Sequence, residues 1–203
     1  MKRFFVCVLL AFAAPPATAA NLVKSYSYFS VHGRTLGEIE AQLSTNGPQV
    51  KTTGNRHPGA TRMAFSTRLG FAEKSGSCRI VSAVVTVRAK VILPRWKRPR
   101  NADRGLSIFW DTLSADIKRH EESHVVIAKN YARDLENALK ATGPQKDCRT
   151  ATVKANEITD SILARHDRAQ IQFDRVEGVN FESRILRLLQ YRLERIENGR
   201  LPG

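Results

Sequence analysis

Cysteine is nearly absent from this 203-residue chain. Three occur, Cys7, Cys78 and Cys148, and none has a partner two residues away, which argues against a thiolate metal site. Long apolar runs are missing too. Beyond the first 14 residues no stretch approaches the roughly 20 apolar residues that a membrane span needs. Aromatic residues make up 7% of the chain and nothing resembles a nucleic-acid-binding module, so nucleic acid is not an expected partner. Internal repeats, low-complexity segments and a recognisable prodomain are all lacking. Acids are outnumbered, 19 against 33 Lys and Arg, giving a formal charge of +14. Such a balance favours anionic partners, an anionic lipid surface or an acidic cell-wall polymer, although most bases are spread along helical patterns as a solvated surface.

The first residues form a recognisable unit. Met1, Lys2 and Arg3 precede an apolar run from Phe4 to Ala14, and small residues lead to Ala17-Thr18-Ala19. A basic start, a short apolar middle and an Ala-x-Ala end are the parts of a secretory signal peptide. The expected division is a signal peptide over 1–20 and a mature chain over 21–203, exported to a periplasm or to the outside. Roughly 183 residues suit one domain. Cys7 leaves with the signal, and in an oxidising compartment the remaining Cys78 and Cys148 are expected to form one disulfide. The charge falls to +12, with 31 bases against 19 acids.

Strand patterns come first along the mature chain. Leu22 to Val31 alternates and carries Tyr26, Tyr28 and Phe29. Thr35 and Glu38 form a capping box for a short helix with Leu36, Ile39 and Leu43 on its apolar face, ended by Gly47-Pro48. Arg62 to Phe71 reads as a second strand, and a turn at Lys74-Ser75-Gly76-Ser77 leads into a third. There Val85, Val87, Ala89, Val91 and Leu93 alternate with Thr86, Arg88, Lys90 and Ile92 until Pro94 stops the pattern. A basic loop follows, with Arg95, Lys97, Arg98, Arg100 and Arg104. The period then changes to steps of three and four: Leu113, Ile117, His120, His124, Ile127, Tyr131, Leu135 and Ala138. Gly143-Pro144 ends that helix. A second pattern runs through Ile158, Ile162, His166, Ala169, Phe173 and Val176 to Gly178, and a third through Phe181, Ile185, Leu189, Leu193 and Ile196. Strands followed by helices predict an α+β fold, with N-terminal antiparallel strands packed on one long helix and two further C-terminal helices.

The long helix carries His120-Glu121-Glu122-Ser123-His124. Side chains four apart on a helix share a face, so His120 and His124 can offer two imidazole nitrogens to one ion. This is a zinc-site spacing, and both histidines fall on the apolar stripe. Glu121, about 100° around the helix, is placed to accept a proton from a metal-activated water as general base. A third protein ligand is required. His166 is the first candidate, because it too lies on the apolar stripe of its helix; Glu157 and Asp174 are the next two. Asp116, Glu122 and Asp167 are candidates for orienting the ligand imidazoles. His32 and His57 read as surface histidines.

With these residues in view, the chain resembles a bacterial family of predicted secreted zinc-dependent proteases, domain-of-unknown-function family 922. The resemblance covers most of the mature chain: Tyr28 to Gly33, Gly47-Pro48, Cys78 leading a long strand into Leu93-Pro94-Arg95-Trp96, His120 to His124, Cys148 and Phe173-Asp174. It implies export, a zinc cofactor and hydrolysis of peptide or protein substrates, with peptidoglycan peptides a target of the same chemistry. One departure stands out. Where the family often carries threonine and histidine followed by glycine, after the aromatic-Asp pair, this chain has Glu177-Gly178-Val179-Asn180. That departure and the basic charge motivate a second expectation, a catalytically degenerate exported module that binds an anionic envelope partner.

Overall fold

The computed structural model describes residues 20–50 and 54–201; the signal-peptide segment lies almost wholly outside them. The fold is α+β. Its elements in order are β1 (Asn21–Val31), α1 (Leu36–Asn46), β2 (Ala60–Lys74), β3 (Ser77–Trp96), α2 (Arg104–Lys140), α3 (Cys148–Val179) and α4 (Phe181–Glu197). The strands form one sheet in the order β1-β3-β2. Among the described residues no helix is long and apolar enough to cross a membrane.

The hairpin follows from its turn. Ser75 and Gly76 both take positive φ, 52° and 73°, and Lys74 faces Ser77 across the two-residue loop. Two positive φ values match the natural twist of paired strands, and glycine adopts them freely. β3 therefore runs antiparallel to β2, but β1 joins the other edge of β3 in parallel. The expectation of all-antiparallel strands is corrected there: α1 and the loop after it carry the chain past the sheet before β2, so β1 is not hairpin-linked to its neighbour. β3 also runs past Pro94 to Trp96. Its β2 partners end at Ala60 opposite Ile92, whereas β1 continues alongside to Val31 opposite Trp96. Pro94 thus falls where β3 has lost one neighbour, the kind of edge position that tolerates a residue with no N–H.

The alternation along β3 sorts its side chains. Val85, Val87, Ala89, Val91 and Leu93 are buried against α2, while Arg88 and Lys90 are exposed on the opposite face. α2 starts at Asp103, whose side chain accepts the Leu106 N–H. Its stripe of Trp110, Leu113, Ile117, Val125, Ala132, Leu135 and Leu139 faces the sheet and its neighbouring helices. Buried Glu136 accepts the Val85 backbone N–H at 2.7 Å, which ties the helix to the strand. Small residues line the α2–α3 seam: Ala128, Ala132, Ala151 and Ala155 are all fully buried, so the helices can approach closely. α3 begins ten residues before its apolar pattern becomes visible, at the Asp147 cap that accepts the Thr150 N–H. Its end is at Asn180, just past Gly178; there the Asn180 amide and its backbone N–H both bond back to the Val176 carbonyl.

Cys78 at the start of β3 is disulfide-bonded to Cys148 at the start of α3. Beside the bond, Cys78 and Gln145 exchange two backbone hydrogen bonds of 2.8 and 2.7 Å. The sheet and α3 are thus joined at the end of the α2–α3 turn. Closing a loop of 70 residues stabilises the fold by about 4 kcal/mol in the chain-entropy model. Urea unfolding of Cys148→Ser, or of the parent under reductant, is expected to show a loss of that order; an unchanged midpoint would contradict it.

Candidate metal centre

α2 holds His120 and His124 one turn apart, with their side chains 25% and 12% exposed. Both direct Nε2 to one point. The two Nε2 atoms lie 3.1 Å apart, and Asp174 Oδ1 from α3 lies 3.2 Å from His120 Nε2 and 3.0 Å from His124 Nε2. Three ligand atoms therefore mark a nearly equilateral triangle. A tetrahedral zinc with bonds of about 2.0–2.1 Å separates its ligands by about 3.3–3.4 Å, so the triangle matches one face of such a tetrahedron within a few tenths of an ångström. Phe173 packs on both imidazoles, with ring centroids 5.0 and 5.1 Å away, and walls one side of the site.

The far sides of the rings are held by hydrogen bonds from α3. Gln170 donates from its amide nitrogen to the His124 carbonyl at 3.2 Å, which can only accept. This fixes the amide orientation, and its Oε1 lies 2.5 Å from His124 Nδ1. An amide oxygen accepts, so in neutral His124 the proton sits on Nδ1, and Nε2 has a lone pair that can take either a cation or the proton shared with Asp174. The same amide nitrogen lies 2.8 Å from His166 Nε2, and His166 Nδ1 lies 3.0 Å from Asp167 Oδ1. Donation thus runs from His124 to Gln170, from Gln170 to His166 and from His166 to the Asp167 carboxylate. His120 is held similarly, its Nδ1 3.5 Å from Glu177 Oε2. Burial works to raise the Glu177 pKa, but Arg119 and Arg184 outweigh it, so Glu177 stays ionised. Burial likewise opposes charge on Asp174 and His124. The hydrogen bonds between them, with His120 and Gln170 adding, hold Asp174 below the usual carboxylate range and raise His124.

Glu121 occupies the sheet side of α2 and is 5% exposed. Burial raises its pKa, against the opposing pull of the Thr61 hydroxyl and of His124 and His120. Thr61 Oγ1 donates to Glu121 Oε2 at 2.8 Å. Gly59 lets the carboxylate lie flat against the chain: a Cβ there would stand 2.8 Å from Glu121 Oε1 and 2.9 Å from Ile117 Cγ2. His120, Glu121 and Asp174 share the wall of an open cavity of about 290 Å³ with His57, Pro58, Gly59, Ile117 and Phe181.

The third member of the triangle is thus Asp174, the last of the three residues considered from the sequence. His166, the first, does not join it. His124 meets Gln170 and His120 meets Asp174, so the antiparallel step carries His166 a full turn away, where it is 4% exposed between Phe65 and Tyr131. Its apolar surroundings come from this packing and from its place behind Gln170. Glu157 is exposed and paired with Lys154 at 3.0 Å. Of the acids expected to orient imidazoles, Asp116 is bound by Arg119 and Arg184, and Glu122 by Lys24 and Tyr26. Asp167 acts only through His166 and Gln170. Gln170, Glu177, Thr61 and Gly59 were not singled out from the sequence, and neither was the cavity wall at His57. A signal was available for Gln170, four residues after His166 and four before Asp174 on one helix face.

Zinc titration separates the two third-ligand candidates. Asp174→Ala is expected to weaken zinc binding more than His166→Ala, whose effect should stay within the roughly 10–100-fold typical of residues behind a ligand. The reverse order contradicts the assignment. Zinc affinity should also fall as pH is lowered through the raised His124 pKa, because protons compete for Nε2. In the metal-free protein the sign is opposite: stability supplied by charged His124 is present below its ordinary pKa of 6.5 and is lost as pH rises through the raised value.

No curated protein and no solved structure matches the chain. A family model described as a bacterial protein of unknown function, DUF922, matches residues 26–182, from β1 through α2 and α3 to the start of α4. The chain belongs to that family.

Proposed function

We propose that this protein is an exported zinc-dependent peptidase in which His120, His124 and Asp174 hold the metal and Glu121 is the general base. The observation that carries the reading is the convergence of His120 Nε2, His124 Nε2 and Asp174 Oδ1 beside a buried carboxyl in one open cavity. Zinc bound there would polarise a substrate carbonyl and lower the pKa of a water to about 7. Glu121 accepts the proton of that water. Its raised pKa suits both this step and return of the proton to the leaving amine, since a group that titrates nearer neutrality can do both. Thr61 fixes the carboxylate by occupying Oε2, and the bare Cα of Gly59 leaves Oε1 room. Export is supported by the basic, apolar and small-residue segment at the N-terminus and by the disulfide. Amide bonds of proteins or of peptidoglycan peptides are the substrates this chemistry suits.

Glu121→Gln tests the mechanism. It keeps the shape and removes the base, so zinc content should stay near one per chain while kcat/KM for peptide cleavage falls by about 10²–10⁴. The fold tolerates Glu121 while protonated and loses stability as pH rises from 4.5 through its raised value, so the variant should melt no lower than the parent at neutral pH. Cleavage equal to the parent's sinks the mechanism.

One observation favours the second reading, a binding module without hydrolysis. The sheet face away from α2 carries Arg62, Arg68, Arg88 and Lys90, all exposed, with Arg62 directly opposite Lys90. Among the described residues no acid points outward there before the β2 irregularity at Gly70. Like charges directly opposite are destabilising, and an anionic surface would relieve them. Under this reading Arg62→Glu with Lys90→Glu abolishes salt-sensitive cosedimentation with anionic phospholipid vesicles; retained binding removes the face from consideration.

A further inference from the structure

A second cavity adjoins the metal centre. It has a volume of about 320 Å³ and shares Pro58, Ile117 and Phe181 with the cavity that contains His120, Glu121 and Asp174. Its remaining walls are mainly apolar, from α1 and from the part of α2 that precedes the motif. Phe109, Leu113, Ile117 and Glu121 follow at steps of four, so the apolar wall and the carboxyl lie along one side of one helix. Ile39 and Leu43 of α1 are buried behind the space. Leu36, 49% exposed, and Phe181, 44% exposed, remain large apolar side chains in contact with water. Glu40 and Arg56 are the charged residues of the lining.

The connection between the cavities is built rigidly. A Cβ on Gly47 would stand 2.1 Å from the His57 carbonyl oxygen and 2.6 Å from that of Leu43, so only glycine lets the chain before β2 cross the end of α1. Arg56 Nη1 donates to the Gly47 carbonyl at 2.7 Å, and His57 N–H to that of Pro48 at 3.0 Å. These contacts set His57, Pro58 and Gly59 as a partition beside Glu121.

We propose that this second cavity is the specificity pocket of the same site and takes a large aliphatic or aromatic side chain of a peptide next to the bond under attack. The assignment rests on the peptidase reading. A peptide whose carbonyl reaches His120, Glu121 and Asp174 passes the Ile117–Phe181 edge, and a side chain turned toward α1 enters the apolar space. A carboxylate or ammonium group there would leave water for mainly apolar walls, with Arg56 already bonded to the Gly47 carbonyl, and a glycine would leave the walls wet.

Peptidyl hydroxamates test the assignment by binding and not by turnover, because the hydroxamate grips zinc while the side chain probes the pocket. With the zinc-loaded mature protein, leucyl and phenylalanyl hydroxamates should bind at least about 10-fold more tightly than the glycyl or aspartyl compound, within the range that apolar pockets supply. Leu36 lines the second cavity and not the one that contains His120, Glu121 and Asp174, so Leu36→Glu should reduce this preference several-fold. Equal affinities across the series overturn the pocket assignment and leave the metal centre standing. A protein that takes up no zinc, or binds none of the compounds, overturns the peptidase reading and the pocket with it.

Discussion

Three lone-pair-bearing atoms meet at one point beside α2 and α3, a place that a shared proton or a cation can fill. In this fold two imidazole nitrogens and a carboxylate oxygen lie 3.0–3.2 Å from one another, each supported from behind. The Gln170 amide, fixed by the His124 carbonyl, places the proton of neutral His124 on Nδ1 and turns Nε2 toward Asp174. Glu177, kept ionised by two arginines, faces Nδ1 of His120. These supports come from α3, the triangle from α2 and α3 together, so the centre depends on how two antiparallel helices are set against each other. The buried alanines let them approach, the disulfide fixes one end of α3, and Arg184 of α4 binds Asp116 of α2 and Glu177 of α3 near the other.

The same arrangement explains an otherwise unfavourable feature. A carboxyl as buried as Glu121 opposes folding when ionised, and one hydroxyl from Thr61 offsets only part of that effect. A purely structural position would favour an apolar side chain. Gly59 gives up its side chain at the same spot, and Thr61 gives its hydroxyl, so two residues of one strand region serve the carboxyl. Perturbed acids of this kind beside open cavities are common at functional sites.

Much of this was legible in the chain. The alternation along β3 gave its buried face, the Ser75-Gly76 turn gave the hairpin, and the His120–His124 spacing gave two of the three converging groups. Thr35 predicted the start of α1, where its hydroxyl accepts the Glu38 N–H. What escaped depended on register between elements. A stripe on one helix says which residues are buried but not which residue of the next helix they meet. His166 is buried for packing reasons, whereas Asp174 sits at the rim, 55% exposed, and looks like any solvated acid in a periodic pattern. Asp174 therefore ranks third among the ligand candidates, behind His166 and Glu157, and Phe173-Asp174 recurs in the family resemblance. The parallel pairing of β1 and the approach of Gly59 to Glu121 were hidden similarly, since both join segments far apart in sequence.

X-ray absorption at the zinc edge of the metal-loaded mature protein, compared with Asp174→Asn, addresses the centre most directly. The account predicts two imidazole nitrogens and light oxygen donors at about 2.0–2.1 Å in a four-coordinate shell, with the oxygen contribution altered in the variant. A shell containing three imidazoles, or one that does not change when Asp174 is replaced, would contradict it.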